Sequence, residues 1–74
     1  MTRPEMLNAL RADIDILAQA EESSVLGSLP GWDSLAILLV VSHCEHVHDL
    51  EVSGSQIRGC RTVGDLLDLI QSLS

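Results

Sequence analysis

The stretch LPGWDSLAILLVV, Leu29 to Val41, joins a turn to the most apolar segment of the chain. Pro30-Gly31 is turn chemistry, because proline presets φ and glycine accepts φ > 0 at no steric cost. Asp33 and Ser34 are residue types whose side-chain oxygens accept the free amide hydrogens of a helix's first turn. The unbroken apolar run Leu35 to Val41 then opens a helix expected over about Ser34 to His48. With Asp33 as the cap, Trp32 and Ile37 occupy the two positions of a hydrophobic staple.

Working outward from that helix, Thr2 to Glu5 fits a T-x-x-E capping box with Pro4 in the first turn. Leu7, Leu10, Ile14 and Leu17 follow at helical spacing, which predicts a first helix from about Arg3 to Ala18. Ala20 to Asp33 has no clear period and reads as a long loop, with Val25, Leu26 and Leu29 available to pin it to the core. Loops of this length in small domains are usually functional. Beyond the central helix, Ser55–Arg58 has room for one helical turn. Thr62 to Asp65 resembles another capping box, and Val63, Leu66, Leu67, Ile70 and Leu73 form an apolar stripe. The expected fold class is all-α, a compact helical bundle in one domain over residues 1–74.

Composition narrows the function. Eleven acids oppose four arginines and no lysine, for a net charge of −7. That field repels nucleic acid and anionic lipid and attracts basic partners. Two cysteines, Cys44 and Cys60, are too few for a secreted disulfide framework, and no signal-peptide or membrane-spanning segment is present. A cytoplasmic setting with no membrane or nucleic-acid partner is the expectation. With no Phe or Tyr, the core must be aliphatic.

HCEHVH, His43 to His48, has the residue types of a metal site. Projected at about 100° per residue, Ile37, Val41, Cys44 and His48 share a core-facing stripe, with Val40 at its edge. His46 points the other way, with His43 further round. Ligands that diverge do not close on one ion, so no metal site is assigned; a surface ion at His43 and His46 is the form such a site would most readily take. Cys44 reads as a small core residue. No base, nucleophile and orienting group converge, so no catalytic residue is assigned and the chain is not expected to be an enzyme.

GWDSL at Gly31–Leu35, DLEV at Asp49–Val52 and TVGDLLDLI at Thr62–Ile70 together resemble the acyl carrier proteins. The resemblance covers nearly the whole chain. It implies a four-helix bundle with a long first loop and a short third helix. It also implies that Ser34 carries 4′-phosphopantetheine, delivered covalently from coenzyme A by a phosphopantetheinyl transferase. The thiol of that arm holds acyl or aminoacyl groups as thioesters. Ser34 is then a handle, with a helix N-terminus to receive its phosphodiester.

The same resemblance implies a monomer that meets acyl-loading and acyl-processing enzymes through Asp33, Leu35, Leu38, Leu39, Glu45 and Ile57. Fatty-acid carriers usually present acids just after the D-S-L motif and four residues after its leucine, where this chain has Ala36 and Leu39. His48 stands where carriers commonly have phenylalanine, and Cys60 stands at an apolar core position. The apolar patch of Leu35, Leu38 and Leu39 points to a specialised pathway such as polyketide, amino-acid-loading or surface-lipid chemistry. The Met1 start and the end soon after the last helix suit a free-standing carrier. The rival reading is an unmodified helical adaptor or dimerisation module that uses the same leucines.

Overall fold

Each α-helix begins on a side-chain cap. Thr2 accepts from the Glu5 amide, Asp33 from Ala36, Ser53 from Gln56 and Thr62 from Asp65. At Thr2, Ser53 and Thr62 the bond is reciprocated, closing a full capping box. In this computed structural model, which describes residues 1–74, the helices are α1 (Arg3–Asp13), α2 (Ser34–His48), α3 (Gly54–Arg58) and α4 (Val63–Leu73). No helix is long and apolar enough to cross a membrane.

One aliphatic core joins them. Met6 and Leu10 of α1, Val40 and Cys44 of α2, Ile57 of α3 and Val63, Leu66, Leu67 and Ile70 of α4 belong to the same buried cluster. Trp32, Leu29 and Leu50 pack against its edge.

The first helix is shorter than its periodicity suggests. It stops at Asp13; Ile14 is extended, with φ −120° and ψ 108°, and Asp15–Leu17 forms a separate 3-10 turn. Asp13 and Asp15 place negative charge where the helix dipole is already negative, which disfavours continuation. The break costs no burial, since Ile14, Leu17 and Ala20 all remain inside. Arg11 Nε donates to the Ala18 carbonyl across the turn at 3.2 Å.

The long loop is anchored through its backbone. Leu26 N–H donates to the Arg61 carbonyl, Val63 N–H to Ser24 and Gly64 N–H to Glu22. Val25 and Thr62 form an isolated antiparallel bridge there. The Arg3 guanidinium reinforces the seam, pairing with Glu22 of the loop and Asp68 of α4. Asp65 accepts the Thr62 and Arg61 amides, and these bonds hold its carboxyl below the usual range.

The register of α2 corrects the sequence expectation. Its buried residues are Ala36, Ile37, Val40, His43 and Cys44. Val40 is therefore central and Val41 only half-buried. The stripe is rotated toward α1, which packs on that flank and covers His43.

Candidate functional site: the start of α2

The turn into α2 is built by Leu29 to Trp32. Gly31 has φ +82°, and Trp32 N–H donates to the Leu29 carbonyl at 3.2 Å. Pro30 followed by glycine at positive φ is the type II arrangement. Space does not demand the glycine, because an added Cβ would meet Ile16 only at 3.5 Å, ordinary contact. The conformation does.

Asp33 and Ser34 divide the work of the junction. Asp33 Oδ1 accepts the Ala36 amide at 3.1 Å and is the cap. Ser34 is the first residue of α2 and is exposed. Its hydroxyl is therefore free of capping duty. One side chain approaches it: Arg58 Nη2 stands 3.5 Å from Ser34 Oγ, a long contact. None of the three surface depressions is lined by Ser34.

Arg58 is the residue that sequence reasoning did not find. It lies at the end of α3, which packs on α2. An added Cβ at Gly54 would sit 3.6 Å from Ile37 Cγ2, which shows how near the start of α3 comes to α2. Only the scarcity of cations in an acidic chain marked Arg58 beforehand.

The expected docking residues separate into two groups. Leu35 is 64% exposed, Leu38 62% and Leu39 43%, and they share the outer side of α2. Asp33 and Glu45 are exposed as well. Val47, also exposed, adds to the apolar surface toward the helix C-terminus. Ile57 is different: at 0% exposure it belongs to the core and offers no side chain to a partner. It is the apolar anchor that seats the short α3, next in sequence to Arg58.

Of the three histidines, His43 departs from expectation. His43 is 2% exposed, with Nδ1 2.6 Å from Asp13 Oδ2. His43 and His46 line one surface depression, but the Nδ1 of His43 is engaged by Asp13 and its Nε2 is buried, so it presents no free nitrogen there for an ion. His46 is exposed and its Nδ1 lies 3.0 Å from the Ser42 carbonyl. His48 is half-buried, and its ring meets that of His43 edge-on at 5.6 Å. Burial, with the neighbouring His43 as a lesser cause, lowers the His48 pKa. Both Nε2 atoms are buried without a hydrogen-bond partner.

Cys44 is fully buried, and burial pushes its thiol up to about 11. Cys60 is half-buried and also raised, chiefly by burial. Neither has the electropositive, exposed surroundings of a reactive thiol. No group of three or more His, Cys, Asp or Glu side chains is placed to hold a metal ion. Comparison with protein-family models, with curated proteins and with solved structures finds no match for this chain.

Proposed function

We propose that this protein is a carrier that holds acyl or aminoacyl groups as thioesters on 4′-phosphopantetheine attached at Ser34. One observation carries the reading: Asp33 caps α2, which leaves the Ser34 hydroxyl exposed and uncommitted at a helix N-terminus. Had Ser34 been the cap, the D-S-L stretch would need no further explanation. A phosphodiester at that point meets free amide hydrogens and the positive end of the helix dipole. The order of elements adds support, since a long first loop, a dominant α2 and a short α3 fit a carrier-type four-helix bundle.

In this reading the domain is the substrate of a transferase. Ser34 Oγ attacks the phosphorus of coenzyme A that bears the pantetheine. The Oγ–P bond forms as the pyrophosphate P–O bond breaks, adenosine 3′,5′-bisphosphate leaves, and the hydroxyl proton goes to a base of the transferase. The exposed leucines of α2 then meet acyl-loading and acyl-processing enzymes in the cytoplasm.

Intact mass after incubation with coenzyme A and a phosphopantetheinyl transferase of broad specificity tests the proposal. Wild type gains one arm. Ser34→Ala gains none while keeping its helical circular dichroism. A wild type left unmodified, or modification of Ser34→Ala at another serine, ends the carrier reading and leaves the adaptor built on Leu35, Leu38 and Leu39.

A further inference from the structure

We infer that Arg58 is the phosphate-binding residue of the Ser34 site, contributed by α3 to a group carried on α2. The inference rests on the carrier reading and adds a residue to it. Two of the four arginines are engaged by the fold through their side chains: Arg3 pairs with Glu22 and Asp68, and Arg11 donates to the Ala18 carbonyl. Arg61 forms no ion pair, and only its backbone amide reaches Asp65. Arg58 has no ion pair, and its one polar side-chain contact is Ser34 Oγ at 3.5 Å.

The placement of this unpaired cation beside the Ser34 hydroxyl suits an incoming anion. Phosphorylation chemistry at Ser34 adds one negative charge to a chain already at −7, beside the carboxylate of Asp33. The first turn of α2 carries no acidic residue, so the new charge faces amide hydrogens on one side and the guanidinium on the other. The 3.5 Å spacing is long for a bond to the hydroxyl itself. It suits phosphoryl oxygens that extend outward from Oγ. Guanidinium presents donors in a planar fork that matches phosphate, and it remains cationic throughout the transfer. The base of α3 is held for this purpose by the buried Ile57 and the Ser53–Gln56 capping box.

The test uses the unmodified and phosphopantetheinylated forms of wild type, Arg58→Gln and Arg58→Lys, with intact mass reporting attachment. In ¹⁵N-labelled wild type, attachment shifts the Arg58 Nε–H resonance more than those of Arg3, Arg11 and Arg61. The difference in Tm between modified and unmodified protein moves against the modified form by about 2–4 °C in Arg58→Gln, the scale of an exposed ion pair in a domain of this size. Arg58→Lys restores most of that difference. If the arm is on Ser34 but the Arg58 resonance does not move and the variants share the wild-type Tm difference, Arg58 does not bind the phosphate and the carrier reading stands alone. If no arm reaches Ser34, both fall. Should Arg58→Gln not fold, the wild-type resonance decides by itself.

Discussion

His43 Nδ1 and Asp13 Oδ2 lie 2.6 Å apart across the seam between α2 and the end of α1. An ionised carboxylate only accepts, so Nδ1 carries the hydrogen and Nε2 is left facing the interior, edge-on to His48. This polar bond stands where an apolar contact would otherwise join the two helices.

Asp13→Ala leaves the buried Nδ1–H without a partner, at a cost of about 1–3 kcal/mol. For a domain of this size that is a fall in Tm of several degrees. Asp13→Asn keeps an acceptor and loses less. Thermal and urea melts of the three proteins measure it, and equal midpoints for Asp13→Ala and wild type would show that the pair contributes nothing.

His48 gives stability a pH dependence. Its pKa in the folded protein lies below the unfolded value of about 6.5, because burial disfavours the cation. Its contribution is therefore complete above pH 6.5 and lost as pH falls through the folded pKa, since the unfolded chain takes up the proton first. His48→Phe flattens that stretch of the stability profile. Urea midpoints at pH 8, 6.5 and 5.5 for both proteins read it directly, and parallel profiles would remove His48 as the cause.

Cys44 and Cys60 differ in access. Iodoacetamide at mildly alkaline pH labels Cys60 slowly and Cys44 only through unfolding, because a buried thiol raised to about 11 presents almost no thiolate. Peptide mass mapping with and without urea separates the sites. Equal labelling in the native protein contradicts the burial of Cys44.

Leu39→Glu follows from the carrier reading. At 43% exposure the side chain is a surface one, so the fold keeps its stability within about 0.5 kcal/mol. Modification of Ser34 proceeds as before. Affinity for the protein's own acyl-processing enzyme falls about tenfold to a hundredfold, the scale of about 1.5–3 kcal/mol for a buried leucine. Use by enzymes of fatty-acid synthesis, which dock on acidic surfaces, improves. Melts, transferase rates and titrations report each part; a variant that unfolds makes Leu39 core, and unchanged titrations move docking elsewhere.

Local chemistry made much of this protein legible in advance. Thr2, Asp33 and Thr62 announce helix starts because a cap is satisfied within three residues, with no need of a partner elsewhere. The Val63–Ile70 stripe follows from helical periodicity alone. The D-S-L motif singled out Ser34 for the same reason: its signal is contiguous.

Tertiary packing decided the rest. The end of α1 at Asp13 carries no glycine or proline to mark it, and Ile14 and Leu17 reach the core through a turn that sequence spacing does not distinguish from a continued helix. An apolar run such as Leu35–Val41 has no polar face to fix its rotation. The buried arc of α2 was therefore chosen by where α1 landed, drawing His43 inside and giving Val40 the centre. Ile57 went to the core for want of any other apolar anchor in α3. Arg58 and Ser34 are 24 residues apart; only the packing of α3 on α2 brings that guanidinium to that hydroxyl, because no local bond relates them.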